Sequence, residues 1–324
     1  MHRTPTVTGP ARPAEPASHP PPTGDVVVGL DGSDPAGRAV AWAAAEAELR
    51  GARLVLAHGG YVVDRVGLTA RTAATVLSEL TAYGHRLVDD TTASLAHSHP
   101  GLDMLGVIRH TAPEDLLIEL SHTAALVVMG THGRGRLAST LLGSVSQRVA
   151  AHANSPVLVI PAHEPQQPTE HTVVVGIADT PGGHAALRFA AEEATRHGAR
   201  LVALRTWGES TWGDGYDFDN FMGWRHDERR LLDHVLTEVR DLYPCLAIDA
   251  KLLSGGIVHS LIGLAGPAEL LVLGCRRSDE QWPSRLGPIA SWLLHRSPCP
   301  VAVVGRPHGP TEEAVAAGAT VAAQ

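Results

Sequence analysis

Lysine is almost missing from this chain. Of 26 basic residues among 324, only Lys251 is a lysine. A Walker-type phosphate loop needs a lysine directly after its last glycine, so that route to a nucleotide is closed. Any phosphate must instead be met by backbone amides, hydroxyls, arginine or a metal ion. Cysteine is scarce as well. Cys245, Cys275 and Cys299 are odd in number and lack a CxxC spacing, which argues against a disulfide framework or zinc site and for a reducing compartment. No apolar run approaches the ~18–20 residues needed to span a bilayer. Residues 1–24 are rich in proline and alanine and lack the apolar stretch of a signal peptide. The expectation is a soluble, cytoplasmic protein. Excess positive charge is absent too: the formal net charge of −8 gives a surface that as a whole attracts neither nucleic acid nor an anionic membrane.

What is present is enough apolar material for a packed core, 44 % of residues, with only 19 % charged, and a length that fits about two domains. Composition breaks divide the chain into a proline-rich tail (1–24), a first domain (25–163), a linker (164–170), a second domain (171–305) and a flexible tail (306–324). Between the breaks the sequence repeats. VVVGLDGS at 26–33 resembles VVVGIADT at 173–180, and GARLVLAH at 51–58 matches GARLVALR at 198–205. ALVVMG at 125–130 matches ELLVLG at 269–274, and SPVLVI at 155–160 matches CPVAVV at 299–304. The offset, 147 residues early and 144 late, is too long for a solenoid and implies a domain duplicated whole.

Each half alternates short apolar runs with helical patterns. In the first half the runs are 25–30, 53–58, 104–109, 125–130 and 156–160. They are apolar on successive residues, which predicts strands buried on both faces of a parallel sheet. Val76, Leu80, Tyr83 and Leu87 form a helical stripe between the second and third runs, as do Leu232, Val235, Val239 and Leu242 in the second half. Further helices are expected over 36–50, 113–121 and 142–152. The pattern predicts two tandem doubly wound α/β domains.

In such sheets ligands lie beyond the carboxyl ends of the strands, near the point where strand order reverses. There the first half carries Gly29-Leu30-Asp31-Gly32-Ser33 after its first strand and Gly130-Thr131-His132-Gly133 after its fourth. Gly143-Ser144-Val145-Ser146 follows at a predicted helix start. Gly130 and Gly133 permit close backbone approach. Gly143 and Ser144 sit where unpaired helix amides and the helix dipole favour an anion, with the Ser144 and Ser146 hydroxyls as extra donors. No acidic residue occurs from Gly130 to Ile160, so nothing there repels phosphate. Asp31 suits a ribose hydroxyl or a base edge.

The Gly-x2-Gly-x9-Gly-Ser spacing, preceded by VGLDGS and followed by SVSQRVAAHANSPVLVI, resembles the ATP-binding type of universal stress protein. The resemblance spans both halves, about residues 25–305. It implies five-stranded parallel sheets in the order 3-2-1-4-5 and ATP bound in the first domain, with Mg²⁺ or Mn²⁺ on its phosphates. In that pattern Asp31 lies near base and ribose, after Gly29, and Gly59 lies near adenine. Met129, Gly130 and Gly133 flank ribose and phosphates, His132 sits within that loop, and Gly143, Ser144, Val145 and Ser146 hold the phosphates. It also implies an intramolecular pseudo-dimer paired through the last strands, with a homodimer possible, and a regulatory, stress-related role without catalysis beyond slow ATP hydrolysis. The second half departs from the pattern. Arg277 replaces the second glycine, Pro288 the serine and Ala178 the aspartate, so it is expected to bind ATP weakly or not at all.

Competing readings are weaker. Gly133 to Ala138 fits GxGxxA but follows a fourth strand and lacks the later acidic residue. Ser254-Gly255-Gly256 hints at the loop of ATP pyrophosphatases but reads better as a capped helix start. An enzyme of the adenine-nucleotide α-hydrolase-like superfamily, a nucleotidyl transferase or pyrophosphatase, would need HxGH or SGGxDS, and neither is present. No catalytic set declares itself. His97 with His99, or His122 with His132, finds no third metal ligand at a convincing spacing, and most of the 19 histidines are expected at the surface. Segment 207–224 concentrates six aromatics and is read either as a loop packed on its own core or as a contact surface.

Overall fold

A computed structural model describes residues 24–60, 70–131, 143–163, 170–207, 218–275 and 286–305. The first half runs β1 (Asp25–Gly29), α1 (Asp34–Arg50), β2 (Leu54–Gly59), α2 (Ala70–Ser98), β3 (Met104–Arg109), α3 (Pro113–Leu120), β4 (Ala124–Gly130), α4 (Ser144–His152) and β5 (Val157–Ile160). The second repeats it as β6 (Thr172–Gly176), α5 (Pro181–Arg196), β7 (Arg200–Trp207), α6 (Phe218–Leu242), β8 (Ile248–Ser254), α7 (Ile257–Ala265), β9 (Leu270–Gly274), α8 (Pro288–Arg296) and β10 (Val301–Val304).

Local chemistry sets these boundaries. Ser33 caps α1 by accepting from the Ala36 amide, Pro35 stands in the first turn, and Gly51 ends the helix at φ +60°. Thr180 caps α5 in the same way through the Gly183 amide. Pro113 opens α3 with Glu114 and Asp115 in its first turn, where a missing amide and negative charge are tolerated. The 207–224 segment is divided, because α6 already begins at Phe218; residues 208–217 lie outside the described part. At α7 the helix start holds but the side-chain cap does not. Gly256 occupies the cap with no side-chain bond, and Ser254 closes β8.

All ten strands share one sheet, in the order β3-β2-β1-β4-β5-β10-β9-β6-β7-β8. Each half therefore has the expected 3-2-1-4-5 order. Pairing is parallel within the halves and antiparallel only at the seam, where Val301, Ala302 and Val303 face Val159, Leu158 and Val157. Successive strand residues feed opposite layers. Val26 and Val28 pack with α1 and α5 residues such as Ala43 and Ala190. Val27 packs on the other side with Leu116, Leu120 and Val149 of α3 and α4. Both layers run unbroken across the two halves. One expectation needs correction: β3 is half-buried along its whole length, not buried on both faces. It is an outer strand of the sheet, and β8 at the other edge is partly exposed for the same reason.

Candidate functional site

The carboxyl ends of β1 and β4 meet where strand order reverses, with α1 and α4 beginning beside them. The turn after β1 is tightly built. The Asp31 carboxylate accepts from the Ser33 amide at 2.9 Å and the Ser33 hydroxyl at 2.6 Å, and Gly32 takes φ +78°, which favours glycine. Beneath it, His58 Nδ1 lies 2.8 Å from the Leu30 carbonyl, and the Tyr83 hydroxyl donates to the Asp31 carbonyl at 3.2 Å. The two rings meet edge to face, with centroids 5.7 Å apart.

Two residues of this platform were not legible as site residues. Tyr83 belongs to the helical stripe and reads as core. His58 is buried, as the apolar run 53–58 implies, although most of the histidines are expected at the surface. The signal was available in part, since an imidazole inside an apolar strand needs a polar partner.

On the β4 side, Gly143 and Ser146 converge on one acceptor. The Gly143 amide and the Ser146 hydroxyl both donate to the Thr131 carbonyl, each at 2.9 Å. The Ser146 hydroxyl is thus buried and engaged in holding α4 against β4. Gly143 is the N-cap of α4 without a side-chain cap bond. Helix geometry then gives the amides of Ser144, Val145 and Ser146 no carbonyl within the helix. Ser144 is exposed and Val145 half-buried. Met129 turns its side chain into the core.

Three glycines of the pattern are explained by protein packing. A Cβ at Gly130 would stand 2.8 Å from Pro35 Cβ and 2.9 Å from its carbonyl carbon. At Gly59 it would stand 2.7 Å from Pro113 Cα, and at Gly29 3.1 Å from a Leu117 methyl. Gly130 and Gly59 let the starts of α1 and α3 close onto strand ends, and Gly29 makes room for a side chain from within α3. His132 and Gly133 lie outside the described residues, so the structure brings together Gly29, Asp31, Gly59, Gly130 and the 143–146 turn without them.

A second polar group lies at the seam between α1 and α5. Glu46 and Glu193 are fully buried, and Arg50 reaches both, at 2.5 Å each. Arg196 lies 2.5 Å from Glu193, and His197 Nε2 lies 3.0 Å from Glu46. Burial alone would push the Glu46 carboxyl up, but the His197 hydrogen bond, the Arg50 charge and the bond with Glu193 pull it down to about 2. Glu193 and then Glu46 hold the His197 proton against burial, raising it to about 9. The ligating atoms of Glu46, Glu193 and His197 lie within 4.8 Å of one another, a spacing a metal accepts. Two guanidinium groups already occupy these carboxylates, so the chemistry is that of an ion cluster. Its residues come from opposite halves, and no local motif announces them.

With the fold and both polar centres in view, the class is a tandem pair of doubly wound α/β domains joined through one continuous sheet. The universal stress protein family model matches residues 23–161 and 170–305, and the chain belongs to that family. A universal stress protein of Mycobacterium tuberculosis, Rv1996, is 30 % identical over 307 residues, covering 88 % of this chain and 96 % of its own. The crystal structure of a universal stress protein from Archaeoglobus fulgidus covers 87 % of this chain and 98 % of its own, with a TM-score of 0.67 at 15 % identity. A universal stress protein solved in complex with cAMP matches 42 % of this chain and 96 % of its own, at 28 % identity and a TM-score of 0.34. Among the described residues no helix is long and apolar enough to cross a membrane.

Proposed function

We propose that the first domain binds ATP and that the protein acts as a regulatory, stress-responsive nucleotide carrier in the cytoplasm rather than as an enzyme. The carrying observation is the convergence of the Asp31 turn, Gly130 and the uncapped start of α4 on one crevice. Amides at a helix start favour phosphate through both hydrogen bonding and the helix dipole. Asp31, already oriented by Ser33, suits a ribose hydroxyl. The absence of a phosphate-loop lysine and the family pattern from Gly130 to Ser146 support the same reading. Mg²⁺ or Mn²⁺ would balance phosphate charge that no lysine offsets.

The second domain keeps Gly274 and a start of α8 at Gly287 without a side-chain cap bond, but Ala178 replaces the aspartate. Pro288 stands in the first turn of α8, where Ser144 begins α4, and it offers no amide. The test is the nucleotide content and stoichiometry of purified protein. Mass spectrometry of the denatured supernatant and calorimetry on stripped protein are expected to give one ATP per chain, with no product release on the binding timescale. Two per chain would overturn the restriction to the first domain. No nucleotide, or rapid turnover, would overturn the reading itself.

A further inference from the structure

The duplication brings the same two helix positions from each half to one place. Glu46 and Glu193 correspond in the repeat, as do Arg50 and His197, and all four meet across the seam of α1 and α5. Among these four the symmetry is broken at the second pair. Arginine at 50 keeps its charge at every accessible pH, whereas histidine at 197 can lose it. Among the described residues, the charged groups clustered with the imidazole are on these two helices: Glu46 and Arg50 from α1, Glu193 and Arg196 from α5. The Trp42 ring stacks on it at 6.1 Å and 26°. Glu193 Oε2 is buried with no hydrogen-bond donor and faces His197 Nε2 at 3.7 Å.

We propose that this cluster is a proton-operated latch between the halves: the charge on His197 holds α1 against α5, and losing it loosens that seam while the β5–β10 ladder keeps the halves joined. A neutral imidazole leaves Arg50 and Arg196 as the cations on the two buried carboxylates and takes the charge out of the His197 contact with Glu46. Weakening a charge-assisted contact in a buried cluster is costly, and the antiparallel ladder contains no titratable group.

The sign follows from the raised proton affinity. His197 is held up to about 9 from 6.5, so its stabilisation is complete below 6.5 and is lost as pH rises through about 9. Glu46, drawn down from 4.5 to about 2, contributes above 4.5 and is lost as pH falls toward 2. The latch is fully closed between those limits.

The experiment uses the full chain. Amide exchange, corrected for intrinsic pH dependence, is followed at Ala43–Ala47 and Ala190–Ala194 from about pH 6 to about pH 10, beside an NMR titration of His197. Protection at the seam is expected to fall about tenfold or more over the alkaline range, with β5 and β10 still protected. His197→Arg, which copies residue 50, is expected to remove the step and keep protection high. His197→Gln is expected to remove it and keep protection low. Cys299 does not confuse the result, because burial pushes its thiol from 9 up to about 11, and its contribution is common to all three proteins. The same step in His197→Arg as in the parent, titration of His197 near 6.5, or equal loss in β5 and β10 would overturn the latch.

Discussion

The two halves share a backbone plan yet differ at the crevice in a paired way. In the first, His58 bonds the Leu30 carbonyl and Gly84 crosses above it, where a Cβ would stand only 2.8 Å from the ring. In the second, the corresponding residues are Arg205 and Glu228. They form an ion pair, and the arginine also reaches the Ile177 carbonyl at 3.4 Å. A second exchange lies further along the same helices. Ala41 and Ser94 border a groove of ≈ 450 Å³ between α1 and α2, while their counterparts Arg188 and Glu238 bridge α5 and α6 at 2.8 Å. The difference teaches that the halves diverge beyond the turns that start α4 and α8. The small residues Gly84, Ala41 and Ser94 stand in the first half where salt bridges in complementary pairs stand in the second.

The largest expected effect probes how tightly the second half is closed. A Cβ at Gly183 would stand 1.9 Å from the Ala178 carbonyl oxygen, whereas the equivalent position in the first half is already Ala36. Gly183→Ala is expected to cost about 3 kcal/mol or more, since backbone rather than a flexible side chain must move. Ala36→Gly is expected to cost only ~1 kcal/mol. Thermal unfolding of the two variants checks this, and equal shifts would break the asymmetry.

Next comes ligand binding. Gly143→Val places a branched side chain at the start of α4 and is expected to weaken ATP binding about tenfold or more. Gly287→Val, at the matching start of α8, is expected to leave it unchanged. Calorimetry decides, and a loss in the second variant alone would move the site to the other half. The smallest effect is expected from Arg188→Ala. Its pair with Glu238 is half-exposed at both partners, so stability should change by ~0–1 kcal/mol. A denaturant midpoint shifted well beyond that would show that the bridge braces the second half.

Much of this was legible in the sequence because it is carried by local signals. The repeat offset, the apolar runs and the glycine spacing gave two domains, ten strands and the residues around β1 and β4. Burial of β3 was misjudged because an apolar run carries no mark of whether its strand ends up central or at an edge. Tyr83 and His58 were hidden for a related reason. Each sits in a regular pattern, and only the fold places them under the same turn. The seam cluster was the least accessible. Glu46 and Glu193 look like ordinary helix-surface acids in the sequence, yet both are buried at the seam, at 1 % and 0 % exposure.

The reversal of direction between β5 and β10 has a geometric consequence. Strand ends that converge in one half point toward the opposite rim of the sheet from those in the other. Whatever enters the first crevice therefore sits back to back with the second and cannot bridge to it. One helix nevertheless spans the way from that crevice to the other half: α1 starts beside the Asp31 turn and ends with Arg50 against the Glu193 carboxylate.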